Sequence, residues 1–271
     1  MYDKLFPPKQ MVLDNGKVVM QKRTRLPLIL IILAILTAAS VQLTGFDLQL
    51  LFSRIKNFFK ILGEMVPPNW SYFPKLLEAL LATLQMSLLG SMIGAILALP
   101  FAMLASSNVM RNKVITSIFK IMMSLLRTLP TLVTALIATF IFGLGPMAGL
   151  VAIILFTLSY VGKLLYEQIE NVDMGPFEAM ESIGMKRVEA FRYAIFPQVL
   201  SRYLSTSLFC FEGNVRYAAI LGYVGAGGIG LLIKENLGWR DYSNVGMIVF
   251  ALVITVYIIE SISEHFRKKL T

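Results

Sequence analysis

Glu212, Asn214 and Arg216 are polar residues inside a stretch that is otherwise apolar enough to cross a membrane. A single charge at the centre of a bilayer costs about 2.5–3.5 kcal/mol on insertion scales, so such a residue usually faces a partner side chain or a cavity. Glu212 precedes Arg216 by four residues, the favourable order for an ion pair on one helix face. The group is therefore either a structural pair that locks helices together or part of the wall of a translocation path.

A second charge, Arg127, stands three residues before Pro130 in another apolar run. Proline donates no backbone N–H and predicts a kink there. Arg127 is either a basic anchor at the membrane edge or a further residue of the path.

The segment from Gly225 to Gly230 matches the pattern G-x-G-x-x-G through Gly225, Gly227 and Gly230, with Gly228 between them. A dinucleotide site would need a preceding strand and a βαβ unit, and the surrounding sequence predicts neither. Glycines here favour a bend or a re-entrant segment with non-helical backbone. We therefore interpret them as hinge residues of a gate beside the path.

Motifs for enzymatic chemistry are absent from the sequence. It contains no phosphate-binding G-x-x-x-x-G-K-[ST], no H-E-x-x-H and no G-x-S-x-G. One Cys (Cys210) and one His (His265) leave little material for a metal site. We expect no catalytic residues, no bound metal and no cofactor in this chain.

The composition predicts an all-α integral membrane protein. The chain has 271 residues, 56% of them apolar, and a mean hydropathy of +0.71. Apolar runs near the ~20 residues that span a bilayer as a helix recur along it. The net charge of +9 fits basic cytoplasmic loops better than nucleic-acid binding.

Six spans are predicted, and the charges between them set their orientation. Segments expected in the cytoplasm hold 15 Lys and Arg, against six on the opposite side, which places both termini inside. An amphipathic stretch, 46–62, predicts a helix lying on the outer membrane surface. The spans are 26–43, 76–104, 114–142, 147–166, 199–221 and 245–262.

The longest polar interruption, Gly175–Leu200, carries a helical pattern of its own. Pro176 suits the first turn of a helix, Gly184 a helix end with a bend, and Pro197 the end of a second short helix. A water-exposed loop needs an apolar stripe only where something docks, although an amphipathic helix on the membrane would also have one. The apolar residues of the stripe are Phe177, Met180, Ile183, Val188 and Phe191.

This interruption resembles the cytoplasmic signature of inner-membrane subunits of ABC importers, Glu-Ala-Ala, three residues, Gly, then nine residues before Ile-x-Leu-Pro. Met180 replaces the second Ala, while Ala194 and Phe196 replace Ile and Leu. The positions that fall on the family spacing are Glu178, Ala179, Met180, Gly184, Phe196 and Pro197. The resemblance implies that they form the coupling helix, which sits in a groove of a separate ATPase subunit.

The resemblance extends from about Leu76 to the C-terminus and narrows to the permeases of phosphonate importers. The matching blocks are 143–149, 162–164, 178–197, 212–216 and 221–230. The glycine block is shared with methionine-type permeases, so the block around Asn214 is more specific. The domains implied are a leader (1–25), a span with an interfacial helix (26–75), a permease domain (76–264) with a coupling segment (167–197), and a tail (265–271).

What the family implies is a five-helix permease core with one extra N-terminal span, in a bacterial cytoplasmic membrane. The implied partners are an ATPase dimer that binds ATP and Mg, a second permease copy or paralogue, an extracytoplasmic binding protein and membrane lipid. The expected cargo is phosphonate or a related phosphorus oxyanion. Methionine or another small solute is the alternative cargo, and an ATPase-independent channel, a secondary transporter or a membrane enzyme are alternatives of another class.

Overall fold

In a computed structural model of the chain, residues 9–12, 16–21 and 26–270 are described. They fall into two compact units, Met1–Lys60 and Ile61–Thr271. The predicted leader lies largely outside the described residues.

The first unit contains a small hairpin and two helices. Strand β1 (Lys9–Val12) pairs antiparallel with β2 (Val18–Gln21), a feature that the all-α prediction did not include. Helix α1 (Leu26–Thr44) is apolar throughout and is the first predicted span. Helix α2 (Leu48–Glu64) is the predicted amphipathic helix, and it crosses the boundary between the units. The Asp47 carboxylate caps it by accepting hydrogen bonds from two backbone N–H groups at 2.8 and 3.1 Å.

Helices make up nearly all of the second unit. One 3-10 turn, Trp70–Tyr72, leads into the first of them, and another, Gly222–Val224, lies further along the chain. The helices are α3 (Phe73–Ala105), α4 (Lys113–Thr128), α5 (Thr131–Phe142), α6 (Pro146–Glu170), α7 (Gly175–Ser182), α8 (Arg187–Ala190), α9 (Phe196–Leu221), α10 (Ile229–Trp239) and α11 (Tyr242–Leu270).

Within the described ranges, α1, α3, α6 and α11 are long and apolar enough to cross a membrane. Two further pairs pass the same test as bent spans: α4 with α5, and the helix that begins at Arg187 with α10. By length and composition the chain therefore has four to six candidate spans, and the predicted third and fifth spans are bent pairs.

The predicted third span is broken rather than kinked. Leu129 and Pro130 are both extended, with ψ of 123° and 133°, and α4 and α5 meet at 94°. Proline pushes the preceding residue out of the helical region and cannot donate back along the helix. The chain therefore turns by about a right angle at Pro130.

Pro197 does not end the second helix of Gly175–Leu200, so that prediction is wrong. Helix α8 continues through a π-helical segment, Phe191–Ile195, directly into α9, where Pro197 occupies the first turn. Proline has no backbone N–H, and in the first turn of an α-helix this costs no intrahelical hydrogen bond. A π-helical segment also changes the hydrogen-bond register of the backbone, so the chain passes Pro197 without breaking.

Helices α3 and α6 pack closely through the small residues of α3. A Cβ added at Gly90 would lie 2.6 Å from Cγ2 of Ile153, and one added at Gly94 would lie 2.6 Å from Cβ of Thr157. Close approach through small residues is a usual way for helices to associate in membranes. This contact sets the distance between the helices that flank α9.

Candidate functional site

Asn214 joins three helices in the middle of the second unit. It is 1% exposed, and its Nδ2 donates to Ser91 Oγ of α3 and to Thr157 Oγ1 of α6, both at 2.8 Å. The buried Cys210 thiol lies in the same cluster and donates to Thr157 Oγ1 at 3.8 Å. This position supports the structural alternative for Asn214, since its side chain faces neighbouring helices.

Glu212 is buried and carries two cationic partners. One carboxylate oxygen pairs with Arg216 on the same helix, as the spacing predicts. The other lies 3.4 Å from Nη2 of Arg267, on α11. Arg267 belongs to the predicted tail after the last span, because the apolar run ends near Ile262. Helix α11 instead continues to Leu270, and no local signal could have matched residues 55 positions apart.

Arg216 lines a cavity of about 400 Å³ on the surface formed by α6 and α9. Its side chain is 53% exposed, whereas that of Glu212 is 4% exposed. The walls of the cavity are largely aromatic and include Phe156, Tyr160, Phe209 and Tyr217. Hydrocarbon penalises an exposed guanidinium within a candidate span, so water or another subunit is the favoured surrounding for Arg216.

Arg127 reaches the same aromatic wall from α4. Its guanidinium lies over the Tyr160 ring at 5.8 Å, within the range of a cation–π contact. Tyr160 stacks on Phe156, and Phe156 meets Tyr217 edge to face at 5.7 Å. The structure thus brings Arg127 and Arg216 to one aromatic surface, while Pro130 stands at the nearby right-angled break.

The apolar stripe of the coupling segment faces in two directions. Phe177 and Phe191 are buried against the helices of the unit, and Met180 packs beside them. Ile183 and Val188 are 79% and 64% exposed. Glu178, Ala179 and Gly184 are exposed as well, and Gly184 has a φ of +91° at the predicted bend. One half of the stripe therefore anchors the segment, and the other half presents apolar surface around the bend.

Arg187 ties the coupling segment to the loop between α3 and α4. Its Nε lies 2.8 Å from a carboxylate oxygen of Glu181 on α7, and its Nη1 donates to the backbone carbonyl of the buried Val109. Asn108, beside Val109, donates to the Ile169 carbonyl of α6 at 2.7 Å. Arg187 therefore connects α7 to the loop that precedes α4.

Glu170, the last residue of α6, adds a second tie to the same loop. One of its carboxylate oxygens accepts from the Ser107 N–H at 2.8 Å, the Ser107 hydroxyl at 2.6 Å and Lys120 Nζ at 2.7 Å. Lys120 lies on α4, seven residues before Arg127. Glu170 thus connects the end of α6 to α4, and α4 carries Arg127 to the aromatic cavity wall.

The glycine-rich residues form a tightly packed turn (222–230), which we call the glycine turn. Gly225, Gly227 and Gly228 have φ of +94°, +80° and +70°, a region that other residues rarely adopt. A Cβ added at Gly230 would lie 2.1 Å from the Ala219 carbonyl oxygen. Thr83 Oγ1 accepts from the Ile229 N–H at 2.9 Å, which joins the turn to α3. The pattern that resembled a nucleotide motif thus serves close backbone packing between helices.

The predicted site residues form three separate groups. The coupling segment leads into α9, Glu212, Asn214 and Arg216 lie in the second half of α9 with Arg127 on α4, and the glycine turn follows the end of α9. Among the residues that the structure describes, no group of three or more His, Cys, Asp or Glu could hold a metal ion.

In the described part of the chain, four long apolar helices and two bent helix pairs indicate a multi-pass membrane protein. Residues 90–270 match the family described as binding-protein-dependent transport system inner membrane component. The chain belongs to this family, as the resemblance of Glu178 to Pro197 had indicated.

Two relatives are named for the transport of phosphorus oxyanions. The phosphite transport system permease protein PtxC of Stutzerimonas stutzeri is 28% identical over 222 residues, covering 82% of this chain and 81% of its own. The phosphate-import permease protein PhnE of Mycolicibacterium smegmatis is 32% identical over 211 residues, covering 78% of this chain and 40% of its own.

A solved structure supports the fold. The MetNI methionine ABC transporter in an inward-facing conformation has a chain with a TM-score of 0.65 and 20% identity, covering 75% of this chain and 99% of its own. The matched part of this chain therefore shares its fold with that chain.

Proposed function

We propose that this chain is the permease subunit of an ATP-driven importer that moves phosphonate or a related phosphorus oxyanion. The observation that carries the proposal is that Arg216 lines an aromatic cavity and Arg127 lies over Tyr160, one of the residues of its wall. Guanidinium groups suit phosphorus oxyanions because their planar N–H groups match two oxygens at once. The relatives named for phosphite and phosphate point to the same class of cargo.

The proposed assembly has two permease subunits, identical or paralogous, above an ATPase dimer, with an extracytoplasmic binding protein that delivers the cargo. The chain would cross the bacterial cytoplasmic membrane six times with both termini inside. ATP and Mg would be bound by the ATPase and not by this chain. We propose the leader, interfacial helix and permease domain with the boundaries predicted from sequence, whereas the predicted tail is largely the end of α11, which reaches Leu270.

Transport would follow from alternating access driven by the ATPase. A partner that binds the exposed half of the stripe, including Ile183 and Val188, would move α7. Arg187 and Glu170 would pass that movement to the loop before α4, and α4 carries Arg127 at its far end. The cavity would then change its access because two arrangements of α4 and α9 make different contacts with cargo and ATPase. The glycine turn would act as the hinge or stop of this movement.

The test is uptake of labelled methylphosphonate by cells that produce this chain with its ATPase and binding protein. We expect uptake that requires ATP and is blocked by excess phosphonate or phosphite. If methionine blocks uptake and phosphonate does not, the proposed cargo is wrong. If uptake persists after ATP depletion, the chain is better explained as a channel or secondary transporter.

Coupling is tested separately with Glu178→Arg and Gly184→Trp. Both positions are exposed, so membrane insertion should stay normal while uptake is lost. Gly184 also has a positive φ that tryptophan would strain. Normal uptake by both variants would show that this segment does not dock the ATPase.

A further inference from the structure

Glu212 holds one negative charge between two positive ones. Arg216 pairs with one carboxylate oxygen from the same helix, and Arg267 approaches the other from α11 at 3.4 Å. A buried carboxylate is destabilised when its cationic partner is removed, because the remaining charge is then uncompensated. With two partners present, Glu212 can lose one and still be compensated.

The two arginines differ in how firmly they are held. The Arg267 side chain is 25% exposed, and its guanidinium lies over the Phe209 ring at 5.5 Å. The Arg216 side chain is 53% exposed and lines the aromatic cavity. Arg267 is therefore the better-fixed partner, and Arg216 is the one with space to turn away from Glu212.

We infer that Arg267 is a positioning residue that keeps Glu212 compensated while Arg216 exchanges its carboxylate for the phosphorus oxyanion in the cavity. This inference rests on the proposed function. Arg216 starts on Glu212, turns to the cargo as it enters, and returns to Glu212 when the cargo leaves. Arg267 stays on Glu212 throughout, so no buried charge is left alone during the exchange.

The exchange makes a prediction that a static ion-pair lock does not. Without Arg267, Glu212 has only Arg216 and would retain it, so the cavity would offer one guanidinium fewer to the cargo. Removing the charge of Glu212 as well would release Arg216 again. A lock that only holds α9 to α11 is already lost without Arg267, so the second substitution would not restore it.

The experiment uses the complete importer, with its ATPase and binding protein, reconstituted in proteoliposomes. Labelled phosphite uptake and ATP hydrolysis are measured together for Arg267→Gln and for Arg267→Gln with Glu212→Gln. We expect the single variant to lower phosphite imported per ATP hydrolysed roughly tenfold, the effect of losing one charge-assisted hydrogen bond. ATP hydrolysis should stay near the wild-type rate, and the double variant should recover most of the ratio.

Arg267→Lys keeps the positive charge and should behave nearly as the wild type. Lys268→Gln is the matched control, since Lys268 is the next residue on α11, its side chain is 74% exposed and it pairs with Glu264. An unchanged ratio in Arg267→Gln overturns the inference, and so does a double variant as impaired as the single one. Loss of folded complex in Arg267→Gln, measured by size exclusion in detergent, would favour the static lock.

Wild-type protein separates this inference from the proposed function. If the wild-type importer takes up neither phosphite nor methylphosphonate, the proposed function fails and the inference falls with it. If the wild type imports phosphite and the variants show no recovery, only the inference fails.

Discussion

The segments at the two ends of α9 differ in how far the chain itself covers them. Before α9, the coupling segment leaves Ile183 and Val188 79% and 64% exposed. After α9, the glycine turn is largely buried, and a Cβ at Gly222 would lie 2.5 Å from the Gly227 carbonyl oxygen. The first end leaves apolar surface uncovered, whereas the second is packed against residues of α3 and α6. The difference teaches that one helix can connect an exposed apolar surface to a fixed packing point.

The largest effect is expected at the packed end. Gly230→Ala places a Cβ 2.1 Å from the Ala219 carbonyl oxygen, a backbone atom that cannot turn aside. Overpacking of this kind costs about 1–3 kcal/mol or more. We expect little folded protein and no uptake, measured by size exclusion in detergent and by labelled phosphonate transport.

Gly238→Ala is the matched control on the same helix, because a Cβ there meets nothing within 4 Å. It should fold and transport normally. If Gly230→Ala also does so, the glycine turn is not a fixed packing point. Gly227→Trp should abolish uptake as well, because a Cβ at Gly227 already lies 3.0 Å from Pro146. Normal uptake in this variant would contradict both a packed turn and a moving gate.

An intermediate effect is expected where the exposed end meets the rest of the chain. Arg187→Ala removes the contacts to Glu181 and to the Val109 carbonyl. We expect the ATPase to co-purify as before while uptake falls about tenfold, since charge-assisted contacts are worth about 1.5–3 kcal/mol.

Arg192→Ala is the control for this variant, because Arg192 is exposed and contacts the ring of Tyr193, its neighbour. It should leave uptake unchanged. Loss of the ATPase in Arg187→Ala would mean that Arg187 shapes the docking surface itself and does not pass movement to α4.

The smallest effect is expected between the two ends, at the polar cluster of Asn214. Thr157→Val keeps the side-chain volume and removes the oxygen that accepts from Asn214 Nδ2 at 2.8 Å. The loss of one such bond costs about 0.5–1.5 kcal/mol, which lowers Tm by a few degrees. A thermal-shift assay in detergent measures it.

Thr139→Val is the comparison, since the Thr139 hydroxyl donates only to the Leu136 carbonyl of its own helix among the contacts described. It should change Tm less than Thr157→Val. Equal shifts would mean that the Asn214 cluster contributes little to holding α3, α6 and α9 together.

The long apolar helices and one glycine bend of this fold were predictable from sequence. The apolar runs of α1, α3, α6 and α11 exceed what a soluble core helix requires, and hydropathy alone indicates them. The bend at Gly184 was also predictable, because the local residue type permits the backbone conformation found there.

Features that depend on contacts distant in sequence were not predictable. The pattern around Pro130 predicted a kink, but its size of 94° depends on how α5 packs. Pro197 suggested a helix end, and the π-helical segment that carries the chain past it has no clear sequence signal. Arg267 has a basic neighbourhood typical of a tail, and only the packing of α11 on α9 brings it to Glu212.

Cys210 gives this chain a practical advantage for spectroscopy. It is the single cysteine of the sequence, and its side chain is 3% exposed within the Asn214 cluster. A maleimide dye should therefore react far faster with a new thiol at exposed Ile183 than with the native one. Fluorophores placed there could follow the coupling segment in real time without rebuilding the protein on a cysteine-free background.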